Sequence, residues 1–240
     1  DPDLNVYRDI QYTMQCDYYV EDSFNPYCHR MRVSSDAFSI IHHNIRSAAS
    51  NLSEFENYLN CLNHHFSVIC LSETWFKEGN VQTYGLPNYS HEYLYRTERG
   101  GGGVSIFINN NLQYSCRNDL STMSPCMEAI FIEISKTSIK DASSNIIVGT
   151  VYHPPNTSLD DFIQKIDTIL SIVGREKKPC FISGDFNINL LNSDSHSLTQ
   201  KFIETMYSYS YLPLISKPTL TTEFSAMLID HISCNYALIN

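Results

Sequence analysis

The sequence predicts an α/β fold of stacked layers, and three observations carry that reading. A strand–helix–strand unit opens the apolar part of the chain, from Ala37 to Thr74. Apolar strand-like runs then follow one another from Val104 to His153 with no helical period between them. Beyond them an amphipathic helix leads directly into "PCFISGDFN", an apolar run that ends in Gly-Asp-x-Asn. Strands joined through a helix pair in parallel and strands that follow directly pair antiparallel, so mixed sheets covered by helices are expected.

Taken in order, residues 1–36 are polar, rich in Tyr and Asp and without a sustained period, and read as an extended lead-in to a domain spanning 37–240. "AFSIIHHNI" reads as the first strand. Asn51 and Glu54 have capping-box spacing, and Leu52, Phe55, Leu59, Leu62 and Phe66 recur at helical intervals behind them. "FSVICLSET" is the second strand. The run Gly100–Gly103 lacks both the Gly-x-Gly-x-x-Gly and the Gly-Lys-Ser/Thr spacing and precedes the strand "VSIFI", so it reads as a flexible turn and not a phosphate cradle. "EAIFIEI" and "NIIVGTVYH" are two further strands. Ser158 caps a helix whose stripe is Leu159, Phe162, Ile163, Ile166, Leu170 and Val173. After "PCFISGDFN", Leu198, Phe202 and Met206 mark a helix over about 196–209, and "AMLIDHISCN" is the last strand-like run.

Composition narrows the function classes. With 42% apolar and 12% aromatic residues, the 240-residue chain can bury a substantial core. No run approaches the ~20 apolar residues of a membrane span, and Asp1-Pro2-Asp3-Leu4 carries no basic-then-apolar leader, so no membrane partner and an intracellular setting are expected. The eight cysteines are scattered, several inside apolar runs, and read as reduced thiols. No Cys-x-x-Cys exists to join the His pairs at 42–43 and 64–65, which argues against structural zinc. A net charge of -10 argues against a uniformly basic nucleic-acid binder, yet a carboxylate-rich site that works with a divalent cation is compatible with it.

Polar groups recur where apolar strands end: Asn44 after "SIIHH", Glu73 after "VICLS", Tyr152 after "IIVGTV", Asp185 and Asn187 after "FISG", and Asp230 inside "LID". Alternation along an extended strand would put Asp185 and Asn187 on one face and Phe186 and Ile188 on the other. Each group has a plain alternative. Glu73 could be a solvated edge residue, Tyr152 could pack under Pro154 and Pro155, and Asp185 with Asn187 could simply form an Asx turn. Repetition at corresponding strand ends argues for convergence on one ligand, and carboxylate with amide oxygen is the donor set proteins use for Mg²⁺.

The ordered words "HHNIRS", "LSETWF", "GGGVSIFI", "VYHPPN", "SGDFNINLL" and "LIDHISCN" resemble the endonuclease/exonuclease/phosphatase superfamily over about 37–240. Within it they look like the apurinic-type endonuclease domain of non-LTR retrotransposons, and "YYVEDSFN" resembles the stretch that precedes such domains. The resemblance implies a four-layer α/β sandwich, two facing mixed sheets flanked by helices. It implies a Mg²⁺-dependent nuclease that nicks DNA, with Mn²⁺ as a substitute cation. A reverse transcriptase domain in the same parent polyprotein, and action in the nucleus, would follow. Carried over by residue, Glu73 would be the metal carboxylate with Asn44 beside it. Asp185 would orient or deprotonate the attacking water, Asn187 would bond the scissile phosphate, and Tyr152 would donate to a phosphate oxygen.

The family pattern closes with Ser-Asp-His, which this sequence does not contain. "LIDHI" matches the earlier strand whose Asp orients that His, so the resemblance gives Asp230 the orienting role and leaves His231 outside the site. On this pattern the last strands of the sheet are expected to be missing. Two alternatives stay open: an inactive remnant that binds only DNA or metal, and a phosphatase of the same superfamily. Arg46, Arg96 and Arg99 flank strand ends and are candidate phosphate contacts, or else ordinary solvated arginines.

Overall fold

Two mixed β-sheets face each other, and helices cover their outer faces. The structure, a computed structural model, describes residues 16–34 and 37–235. The first sheet contains β1 (Ile40–Asn44), β2 (Val68–Ser72), β3 (Tyr89–Leu94) and β4 (Val104–Asn109), ordered β1-β2-β4-β3. β1 and β2 run parallel because α2 (Ala48–Leu62) carries the chain back between them, and β4 is antiparallel to both its neighbours.

The second sheet holds β5 (Tyr114–Cys116), β6 (Thr122–Met123), β7 (Glu128–Ile134), β8 (Ile146–Tyr152), β9 (Cys180–Asp185), β10 (Tyr211–Pro213) and β13 (Asp230–Asn235). Its path is β10-β13-β9-β8-β7-β5, with β6 on β7, and its one parallel pair, β8 with β9, is joined through α3 (Leu159–Glu176). Ser158 caps α3 as expected, its hydroxyl accepting from the Asp161 N–H. α4 (Ser197–Ser208) packs beside α3, and β11 (Leu220–Thr221) with β12 (Ala226–Met227) forms a separate hairpin.

Three apolar clusters cement four layers. Ile69, Leu71 and Phe107 meet Leu52 and Phe55 of α2 on one outer face. Phe131, Ile147 and Ile182 meet Phe162, Ile166, Phe202 and Met206 on the other. Between the sheets lie Val68, Cys70, Ile106, Ile130, Ile132 and Val148. Burying each such aliphatic or aromatic side chain is worth about 1.5–3 kcal/mol, so the clusters fix the layer order that the site depends on.

Several sequence expectations need correction. The lead-in is not extended throughout: Glu21–Arg30 form α1. Ser23 Oγ accepts from the Val20 N–H and donates to its carbonyl, both at 3.0 Å, while Glu21 and Asp22 sit at the positive end of the helix and His29 and Arg30 at the negative end. Phe24 of α1 stacks on Phe66 at 6.4 Å between centroids. No α1 residue is fully buried, so the helix leaves no apolar stripe to read; residues 1–15, 35 and 36 lie outside the described residues. α2 begins at Ala48, before the expected Asn51 cap. The Ser47 and Ala48 N–H groups donate to the Glu73 and Thr74 carbonyls, and Asn51 Nδ2 donates to Ile45 and Arg46, so tertiary partners replace the capping box. β3 is an unforeseen strand.

The cysteines are free thiols, with Cys70, Cys126, Cys180 and Cys234 buried. No helix among the described residues is long and apolar enough to cross a membrane.

Candidate active site

β1, β2, β8 and β9 all end on the same side of the sandwich, and their terminal polar residues meet there. Asn44, at the end of β1, donates its amide to Glu73 Oε1 and to Asp185 Oδ2, each at 2.7 Å. Asp185 ends β9 in the opposite sheet. Its register partners are Asp230 on β13 and Tyr152 on β8, and Tyr152 pairs in turn with Glu128 on β7. An acid–acid–phenol–acid row therefore crosses the rim of the second sheet.

Glu73 lies just past β2 in the left-handed region, φ 54°, and Trp75 repeats that conformation at φ 55°. The Glu73 and Thr74 carbonyls are held by the start of α2, and the Thr74 and Trp75 N–H groups donate to Gly103 and Gly102. Such backbone is costly for residues other than glycine and persists only where the surroundings over-determine it. The second Glu73 oxygen accepts from the Trp75 indole at 3.3 Å.

The Asp185 and Asn187 side chains share a groove but not a strand. β9 stops at Asp185, and Asn187 turns to φ 49° so that its N–H donates to Asp185 Oδ1 at 3.1 Å. The pair thus does form an Asx turn, which corrects the reading of these residues as serving a ligand and not a turn, and it frees the two from strict alternation. Asn187 Nδ2 donates to the His153 carbonyl at 2.9 Å. Phe186 and Ile188 are buried in the helix-facing cluster.

Electrostatics follow from three carboxylates in a confined space. Burial pushes the Asp185 carboxyl up to about 7, with Asp230 and Glu73 adding to the rise and the Asn187 N–H and Asn44 amide opposing it. Burial also raises Asp230, against the Thr219 hydrogen bond and the charge of Arg46. Tyr152 is buried and stays a neutral phenol, its ionisation opposed first by burial and then by Glu73 and Asp185.

The groove is lined by Asn44, Arg46, Glu73, Asp185, Asn187 and Asp230, with a volume of about 790 Å³. Among the described residues no three of His, Cys, Asp and Glu close on a single point as a metal cage would. Glu73 with the Asn44 amide, completed by water and substrate, is instead the sparse oxygen set that suits a hydrated divalent cation. The crowding that lifts Asp185 is the kind a bound cation relieves.

His231 stands outside this site: its ring stacks on Phe186 at 4.9 Å and its Nε2 bonds the Leu228 carbonyl. Arg96 is not a free phosphate contact. Its guanidinium is paired with the fully buried Glu128, which also accepts the Gly103 N–H. The glycine run is accordingly an anchored loop, with Gly101, Gly102 and Gly103 all at positive φ, and not a flexible turn. Glu128, Trp75 and His42 were missed by the sequence reading; His42 Nδ1 lies 3.8 Å from Asp230. The lone tryptophan directly after Glu73-Thr74 was the available signal for Trp75.

Residues 41–236 match the Endonuclease/Exonuclease/phosphatase family. The chain belongs to this family. Its members are hydrolases of phosphodiester bonds, and its nucleases generally depend on divalent metals. Among solved structures, the endonuclease domain of TRAS1, a telomere-specific non-LTR retrotransposon, superposes with a TM-score of 0.65 at 13% identity, covering 83% of this chain and 85% of that one. The AP endonuclease LMAP from Leishmania major gives 0.64 at 14%, covering 95% and 86%. The 3′ phosphatase NExo from Neisseria, bound to product DNA hairpin, gives 0.57 at 14%, covering 84% and 88%. These likenesses establish the fold. No curated protein matches the sequence.

Proposed function

We propose that this member of the endonuclease/exonuclease/phosphatase family is a Mg²⁺-dependent DNA-nicking endonuclease, the endonuclease domain of a non-LTR retrotransposon. The observation that carries the reading is the Asn44 amide joining Glu73 to Asp185 at 2.7 Å on each side, beneath an open groove. The family match and the retrotransposon endonuclease among its structural relatives support it.

In-line attack on a phosphodiester needs a positioned water, neutral donors to the phosphate, and spread of the developing charge. Asp185, held by the Asn44 amide at 2.7 Å and lining the groove, is placed to take the proton of the attacking water. Asn187, pinned through the His153 carbonyl, and Tyr152, kept as a phenol, donate to phosphate oxygens without adding charge. Glu73 and the Asn44 amide hold the cation, with Mn²⁺ as a substitute. Bound there, it would supply positive charge to the phosphate and the leaving oxygen. Asp230 takes the orienting role that the family pattern gives it, and His42 Nδ1 lies 3.8 Å from its carboxylate.

A reverse transcriptase domain in the same polyprotein, and nuclear action of the parent element, belong to this proposal. The test is conversion of supercoiled plasmid to the nicked form with Mg²⁺, with EDTA and an Asp185→Ala variant as controls. Nicking that EDTA stops and the variant lacks supports the reading. Nicking that survives Asp185→Ala overturns the residue roles. A folded chain that releases terminal phosphate without nicking would point to the phosphatase reading, and one that does neither to an inactive remnant.

A further inference from the structure

Trp75 is the only tryptophan of the chain, and it is 43% exposed beside the metal carboxylate. Tryptophan is usually well buried, and an exposed indole carries an unrecovered hydration cost. This one is also held in place. Its N–H edge donates to Glu73 Oε2 at 3.3 Å, and its backbone N–H donates to Gly102 at 2.8 Å. Gly101 approaches from the glycine loop, where an added Cβ would lie 3.9 Å from the indole nitrogen. With the polar edge tied to Glu73, the part left to solvent is the apolar remainder of the ring. A fixed, solvent-facing aromatic surface loses little freedom on binding, which is what a preorganised contact requires.

We propose that Trp75 is a stacking subsite for a nucleobase adjacent to the phosphate that Glu73 serves. The inference rests on the DNA-endonuclease reading and adds the form of the substrate. Stacking on a π-face is indifferent to base identity and needs a base that has left its own stack. The ligand class is therefore a nucleotide at an unpaired or easily unstacked step, such as a bubble or a pyrimidine–purine step, in preference to uniform duplex. Trp75 thereby selects DNA by deformability, a property no motif in the sequence encodes.

The single indole makes the test direct. A short oligonucleotide carrying a central bubble is titrated into the protein in Ca²⁺ while intrinsic fluorescence is followed. Binding of labelled oligonucleotide to Trp75→Phe and Trp75→Ala is measured by anisotropy, with nicking assayed in Mg²⁺ and folding checked by circular dichroism. Expected are saturable quenching, tighter binding to the bubble than to uniform duplex, a loss of about tenfold in affinity for Trp75→Ala, and near-normal binding for Trp75→Phe, which keeps a stacking ring. If Phe is as damaging as Ala, the indole N–H on Glu73 is what matters and the stacking role falls. If the wild type nicks DNA while its fluorescence is unmoved, or if Ala binds normally, the subsite also falls and the endonuclease reading stands. If the wild type neither binds nor nicks, both fall together.

Discussion

The Asn44 amide reaches 2.7 Å across the gap between the sheets to Asp185 while it also holds Glu73. One neutral side chain thus separates two carboxylates and fixes both. Asn44→Ala is expected to leave the fold intact and to lower divalent-cation affinity about 10–100-fold, the usual range for removing a group that orients a metal ligand. Calorimetric titration with Mg²⁺ and Mn²⁺ would check it; unchanged affinity would remove Asn44 from the metal site.

Asp185→Asn is expected to abolish cleavage and yet stabilise the cation-free protein at pH 8. The folded carboxyl sits at about 7, above its ordinary 3.8. A carboxyl raised in this way contributes stability below about pH 4 that is lost as pH rises through 7. The Asn variant should lack that part of the slope. Urea unfolding at pH 5 and pH 8, with and without Mg²⁺, measures it, and the wild type should recover stability at pH 8 when the cation is added.

Gly184→Ala tests how closely β8 and β9 pack. A Cβ at Gly184 would fall on the Val151 carbonyl, so the two strands could not keep their parallel register. A loss of about 3 kcal/mol or failure to fold is expected, since the obstacle is backbone. Gly100→Ala, which meets nothing within 4 Å, should be tolerated. Denaturation midpoints of the two variants give the comparison.

Arg96→Ala should destabilise the protein by about 3–5 kcal/mol, because it strands the fully buried Glu128 without its cation. The glycine loop should loosen at the same time, which hydrogen exchange at Gly103 would register through its bond to Glu128. Pairing Arg96→Met with Glu128→Leu should recover much of the stability without rebuilding the loop.

The parts of the fold that were legible are those where burial is one-sided and continuous. Val68–Ser72 is buried at every position, and the stripe of α3 supplies six buried side chains, so neither could be mistaken. β3 escaped because "YSHEYL" mixes aromatic and polar residues at half-buried positions. α1 escaped because its hold on the body comes from single residues such as Phe24. In the site, polar residues ending apolar strands were visible because they recur at corresponding ends, although Glu73 or Asp185 alone has a plain alternative. Glu128 was not, because the partners that satisfy it when buried, Arg96 and the Gly103 N–H, are 32 and 25 positions away in sequence. The "LIDHISCN" run splits at Ile229, since Leu228 closes onto Leu190 and Asn189 instead of continuing a strand.

Asn44 ends a strand of one sheet and Glu73 directly follows its neighbour, whereas Asp185, Tyr152 and Asp230 lie in the other sheet and Asn187 just beyond it. The two sheets meet through side chains such as Ile106, Ile132 and Val148, whose apolar attraction is non-directional. A slip of an ångström between layers would keep most apolar burial yet pull Asn44 away from Asp185. Cleavage should therefore fail at lower urea than global unfolding, so that the reaction gauges the alignment of the two halves long before either half melts.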